Sequence, residues 1–211
     1  MKGSQKPHTL WFRIVNIATA VLVSFSATAS GETEKALGHA QAPVTLIEYG
    51  SMTCDYCIHF HREVLPIIQS RHIESGQVRF IFRDFPTSAA AARGAVAARC
   101  ATDDYYNILK ILFLEVGQWS QAEDVDAALV QLAKQLDLDT KKFNTCLKDP
   151  NKSHAVTKAQ QEAREKFDII GTPTFFINGK VVKGKKSIEE MEALIKQALS
   201  QPDSAPKAVN Q

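Results

Sequence analysis

The sequence predicts an α/β fold in which a small sheet is interrupted by an inserted all-helical segment. Three observations predict it. Residues 44–86 read as strand, helix, strand. Residues 87–168 carry helical apolar spacing and no convincing strand, and strand-like sequence resumes at 174 before a last helix that ends at 199. Sheet residues from the two ends must therefore meet. Residues 30–86 and 169–200 are expected to form one discontinuous domain, with 87–168 as the helical insertion. At 211 residues, with 45% hydrophobic and 23% charged residues, the chain can bury one good core and has no reason to be disordered throughout.

The chain opens with Lys2, Lys6 and Arg13, then the apolar run IVNIATAVLV at 14–23, then Ala27-Thr28-Ala29. That is the layout of a secretory signal peptide, expected over 1–29 and cleaved after Ala29; the apolar run is short for a membrane span of about 20 residues. Taking three positive charges from a formal net charge of +2 leaves −1, so the basic balance belongs to the leader. With no basic stripe left over, nucleic-acid binding is not expected. An exported chain also meets conditions in which disulfides persist.

The β-branched and aromatic run VTLIEY at 44–49, bounded by Gly50, predicts the first strand. Apolar positions Cys57, Phe60, Val64, Ile67 and Ile68 predict a helix over 55–74 that stops at Gly76, with Pro66 expected to bend or interrupt it. VRFIFR at 78–83 predicts the second strand, completing a βαβ unit whose strands pair in parallel. Helices are expected over 88–101, 104–116, 122–136, 140–149 and 152–167, the third with a capping box from Ser120 and Glu123. TFFI, Asn178-Gly179 and KVV predict a hairpin with a two-residue turn. Ser187 and Glu190 cap a final helix over 188–199, and the tail 201–211 is expected to be flexible.

The chemistry gathers at Cys54-Asp55-Tyr56-Cys57, where a strand turns into a helix. A sulfur at a helix N-terminus meets unpaired N–H groups and the positive end of the dipole, which favour the thiolate. A second sulfur one turn inside is shielded but close enough to resolve a mixed disulfide. This inequality suits dithiol–disulfide exchange. A zinc site would need Cys100 and Cys146, which are unpaired in sequence and far along the chain. A purely structural bridge across so short a loop adds little stability.

Three further places invite a reading. Glu48 shares a strand face with Val44 and Leu46; a carboxyl there is either a buried proton relay for the inner sulfur or a strand-end group turned to solvent. Thr172-Pro173 stands at the mouth of a strand, where proline cannot donate a ladder hydrogen bond. Of the two histidines after the motif, His59 can border the site and His61 is expected on the solvated face. Cys100 and Cys146 are either a structural disulfide of the insertion, worth up to about 4 kcal/mol by loop closure, or two buried free thiols. Trp119, Phe113 and Phe143 are expected in the core.

VTLIEYGSMTCDYC (44–57), the helical insertion and GTPTFFINGK (171–180) together resemble the DsbA-like branch of the thioredoxin superfamily, over roughly residues 36–200. The resemblance implies a thioredoxin-like fold with an inserted all-helical domain, and a cis-proline loop at Thr172-Pro173 facing the cysteines. It also implies an acid in the strand that holds Glu48, and in some members a second disulfide in the helical domain. The implied activity is that of a periplasmic thiol–disulfide oxidoreductase which donates its Cys54–Cys57 disulfide to unfolded or reduced secreted proteins. A DsbB-like, quinone-coupled membrane oxidase would restore the disulfide, with no organic cofactor or metal. Asp55-Tyr56 departs from members with His before the second cysteine, and an anion beside Cys54 implies a milder oxidant. The same chemistry run as a reductase or isomerase is the alternative, and a redox-silent metal- or peptide-binding module the more distant one. A monomer is expected, because residues 30–42 are too short for a dimerisation segment.

Overall fold

The computed structural model describes Met1 and residues 34–101 and 104–201. The expected signal peptide at 1–29 apart from Met1, and the expected flexible tail apart from Gln201, lie outside the described residues. Strand β1 (Val44–Gly50) is followed by a helical run made of α1 (Asp55–His59), a π-helical turn over Phe60–Val64, α2 (Leu65–Ile68) and a second π turn over Gln69–Ile73. The interruption expected at Pro66 takes the form of a π turn: regular α-helical bonding lapses over Phe60–Val64 and resumes at Leu65. Proline lacks the N–H that a regular turn would use, and a wider π turn just ahead of it lets the run continue past the missing bond.

Strand β2 (Val78–Asp84) leads into the helices α3 (Ala89–Cys100), α4 (Tyr105–Leu114), α5 (Val116–Trp119), α6 (Val125–Gln135), α7 (Thr140–Leu147) and α8 (Pro150–Phe167). Strands β3 (Thr174–Ile177) and β4 (Lys180–Lys183) and helix α9 (Ile188–Ser200) close the chain. Short polar side chains start most helices: Ser88, Asp124, Asp139, Asp149 and Ser187 each accept from a first-turn amide. The box expected from Ser120 and Glu123 is not what starts α6; Asp124 does so, accepting from Ala127 N–H at 2.9 Å. Ser187 and Glu190 form the reciprocal box expected of α9.

The sheet order is β2-β1-β3-β4. β1 and β2 run parallel from Val44 beside Val78 to Gly50 beside Asp84, while β3 lies antiparallel on the other side of β1. Asn178 and Gly179 both take positive φ, 45° and 80°, at the β3–β4 turn. The Asn178 amide also accepts from Thr45 N–H and donates to the Pro43 carbonyl, fastening the hairpin to the start of β1.

Side-chain alternation separates two apolar layers. Leu46, Phe80, Phe175 and Ile177 join the larger core with the first helical run, the insertion and α9; Ile47, Tyr49, Ile81 and Phe176 pack with Ala163 of α8 on the other face. Within the insertion, Arg93 clamps Asp126 through two nitrogens at 2.6 and 2.8 Å. It also reaches the Leu147 carbonyl and the Ser153 hydroxyl, so one guanidinium ties α3 to α6, α7 and α8. Cys100 and Cys146 are joined, with Cα atoms 5.8 Å apart across 46 positions. Among the described residues no helix is long and apolar enough to cross a membrane.

At Gly94 the insertion packs without spare room against Trp119 and against Met52 of the loop before α1. A Cβ there would lie 2.6 Å from the Trp119 ring and 3.0 Å from Met52 Sδ. Both side chains are fully buried, so neither can swing away. Gly94→Ala is therefore expected to cost about 1–3 kcal/mol by overpacking, seen as a lower urea midpoint with an unchanged slope.

Candidate functional site

Leaving β1 at Gly50, the chain makes a tight loop and starts α1 with Cys54 in the extended conformation at the N-cap. The Cys54 carbonyl accepts from Ile58 N–H at 2.9 Å, and Cys57 falls one turn inside. Both thiols are free; Cys54 is partly exposed and Cys57 buried. Cys54 Sγ lies 3.3 Å from the Thr172 carbonyl oxygen, while Cys57 Sγ accepts from Ser51 N–H at 3.4 Å.

The environments of the two sulfurs differ in kind. The Cys57 thiol hydrogen-bonds to Cys54 and, with the Thr172 side chain and the amides of Cys57 and Tyr56, outweighs partial burial to hold the Cys54 thiol down to about 5. Burial pushes the Cys57 thiol far up; the neighbouring Cys54 and the charge of Glu48 push it further, against one favourable contact from the Ser51 amide. One sulfur is thus an anion at neutral pH and the other keeps its proton.

The loop itself is held from the insertion side. Ser51 Oγ and Thr87 Oγ1 are 2.9 Å apart, as are Thr53 Oγ1 and Ser88 Oγ, and Thr87 N–H donates to Ser51 Oγ. These pins join the residues just before Cys54 to the residues that start α3. Facing them, the Thr172–Pro173 peptide is cis, and the Pro173 carbonyl accepts from Gly184 N–H. Ile170, 75% exposed, precedes this turn, and Tyr56, 54% exposed, stands between the cysteines.

Glu48 is fully buried, and its Oε2 meets His61 Nε2 at 2.8 Å. Its other oxygen, Oε1, has no hydrogen-bond partner. Oε1 leans towards the active-site end of the strand: a Cβ on Gly50 would come within 2.7 Å of it, and within 2.6 Å of Phe82. Glycine at position 50 is what leaves room for the carboxyl.

His61 corrects the expectation of a solvated histidine. It is 5% exposed and lies flat on Phe113, ring centroids 3.7 Å apart. The signal was available, because His61 is four residues beyond Cys57 and so shares its helix face. The need for glycine at 50 and the serine–threonine pins depended on distances that sequence spacing does not carry. His59 is half-buried, and Asp55 is exposed in the first turn. Cys100 and Cys146, bonded to each other, take no part in a metal site with the pair. Trp119, Phe113 and Phe143 are core residues.

An ionised sulfur and a protonated one at the head of a helix, on a strand-centred sheet and opposite a cis-proline turn, define a thiol–disulfide exchange protein. The chain belongs to the thioredoxin family, whose sequence model matches residues 30–197, and the solved structures that it resembles include DsbA proteins. The crystal structure of α-DsbA1 from Wolbachia pipientis is similar at a TM-score of 0.75 and 28% identity, over 82% of this chain and 94% of that one. Disulfide bond formation protein D of Bacillus subtilis is 27% identical over 171 residues, 77% of this chain and 76% of its own. A Rickettsia conorii protein named a protein-disulfide oxidoreductase is 23% identical over 190 residues, 89% of this chain. The chain spans 61–67% of the length of the Rickettsia relatives it matches.

Two measurements test the inequality of the sulfurs. Thiolate absorbance of the reduced protein is expected to titrate with a midpoint near 5 that Cys54→Ser removes. The folded Cys54 ionises below its unfolded value of about 8.5. Its contribution to the stability of the reduced protein is therefore complete above that value and is lost as pH falls through about 5. The stability gap between the reduced wild type and Cys54→Ser should narrow over that range; a gap independent of pH would contradict the assignment.

Proposed function

We propose that this protein works outside the cytosol and passes its Cys54–Cys57 disulfide to reduced, unfolded exported proteins. The observation that carries the direction is the low value of Cys54 beside a buried, protonated Cys57. A thiolate stabilised in the reduced protein makes the disulfide easy to give away and Cys54 a good leaving group.

A substrate thiolate attacks Cys54 Sγ, the only partly exposed sulfur of the pair, and Cys57 leaves with the bonding electrons. Glu48 as the neutral acid gives its proton to the buried sulfur and is left as the carboxylate whose charge then keeps Cys57 protonated. A second substrate thiolate then attacks the substrate sulfur of the mixed disulfide. Cys54 departs as a thiolate, the substrate holds a new disulfide, and two electrons have passed to the protein. Thr172 and Pro173 line the approach, and the Thr172 carbonyl, which Cys54 meets in the free protein, lies where an extended substrate chain could take it over. Exposed Tyr56 and Ile170 flank it with apolar surface suited to an unfolded chain.

The leader-like composition of 1–29 supports export to the periplasm, with a DsbB-like, quinone-coupled membrane oxidase restoring the disulfide. The name of the Bacillus subtilis relative and the likeness to the Wolbachia protein support donation over reduction. The Cys100–Cys146 bond acts as a crosslink of the insertion, apart from the exchanging pair.

Equilibration with glutathione buffers tests the direction. A reduction potential near about −120 mV is expected of a donor, whereas one near about −270 mV would make the protein a reductase. Asp55 is exposed, so the repulsion that it exerts on the thiolate is worth at most about 1 kcal/mol. Asp55→Ala should therefore raise the potential by no more than about 20 mV. An unchanged or lower potential would remove Asp55 from the account of the redox balance.

A further inference from the structure

A buried carboxylate is costly unless hydrogen bonds or an opposite charge compensate it. Only one oxygen of Glu48 is compensated, Oε2 by His61, while Oε1 stands buried and unpartnered on the side of Gly50. His61 is held in place by ring contacts, flat against Phe113 and edge-on to Phe82 at 5.3 Å. The imidazole can neither rotate away nor reach bulk water without breaking these contacts.

Few other charges stand near the pair. Its own helical run presents Cys57, while Arg62 turns outward to the Leu114 carbonyl. β2 presents Phe80 and Phe82, β3 presents Phe175 opposite Glu48, and α9 adds Met191 and Ile195 to the same core. α4 contributes Phe113 and the Tyr106 phenol, which burial keeps protonated. Cys57 is therefore the one group facing the pair whose proton must move during disulfide exchange.

We propose that Glu48 and His61 act as a single proton store for Cys57, with His61 the positioning residue that lets the buried carboxyl hold and return a proton. This rests on the exchange reaction proposed above and adds a residue to it. In the loaded pair, one proton beyond that of a neutral imidazole lies between the two groups, and the pair is neutral overall. When a thiolate displaces Cys57 from Cys54, the S–S electrons remain on Cys57 Sγ. The proton passes from Glu48 to that sulfur, and the N–H at His61 Nε2 then donates to the carboxylate left behind. When a mixed disulfide at Cys54 is resolved, Cys57 returns the proton to Glu48 and its electron pair attacks Cys54 Sγ, expelling the partner thiolate. Over a full cycle the pair neither gains nor loses a proton.

The test is the rate at which Cys57 resolves a glutathione mixed disulfide at Cys54, followed by rapid quench and mass spectrometry from about pH 5 to pH 8. His61→Gln keeps an N–H for Glu48 but cannot hold the second proton. It is expected to slow resolution at least about tenfold, while the Cys54 thiolate midpoint stays near 5. Glu48→Gln should slow the same step, and the double variant should be no slower than Glu48→Gln alone. His61→Lys keeps a charged donor and should restore much of the rate with a flatter pH profile; it also serves if His61→Gln does not fold. Wild-type rates in His61→Gln at every pH would overturn the proposal, as would losses in the double variant that multiply. A wild-type protein unable to oxidise a dithiol peptide would instead sink the exchange reading itself.

Discussion

Strand β1 is hydrogen-bonded on both sides, to β2 in parallel and to β3 antiparallel, and the reactive groups depend on that constraint. A strand so held cannot slip, because a one-residue shift would turn Glu48 away from His61 onto the face that packs against α8 and set an apolar residue in its place. Its far end delivers the chain to Ser51 and then to Cys54 at a fixed height over the sheet. β3 begins one residue after Pro173, so the proline turn is carried by the neighbouring strand. The distance between Cys54 and Thr172 is in this sense a property of the β1–β3 register.

The chemistry that follows is a separation of two like groups by environment. Cys54 and Cys57 differ by one helical turn, and that turn takes one sulfur from amide dipoles to a dry core. The helical segment contributes by closing the site from one side. Phe113 covers His61, Gly94 lets Trp119 and Met52 meet, and Thr87 and Ser88 grip the loop. Removing the insertion would therefore expose the groups that make Cys57 a poor acid.

Much of this architecture was legible in the sequence because it rests on short-range pattern. The alternation of 44–49, the Asn178-Gly179 turn and the Ser187–Glu190 box each encode their own local geometry. The position of Cys54 at a helix start was legible for the same reason. Less visible was whatever depended on competition between neighbours. Asp124 outbids Ser120 for the start of α6, and the π turn before Pro66 absorbs a defect that local rules treat as a break. The polarity of His61 points to solvent, whereas its spacing from Cys57 points to the core, and the spacing prevails. A buried polar side chain is decided by the partner it meets, and Glu48 is thirteen residues away on another element.

The bond between Cys100 and Cys146 encloses α4, α5, α6 and most of α7 in one covalent ring. The ring includes the turn at 120–124, whose Gln121, Glu123 and Asp124 are exposed as a protease would require. A cut there would not divide the protein. The two pieces would stay tethered, so on a denaturing gel damage would show only after reduction. The ring turns a severing event into a nick.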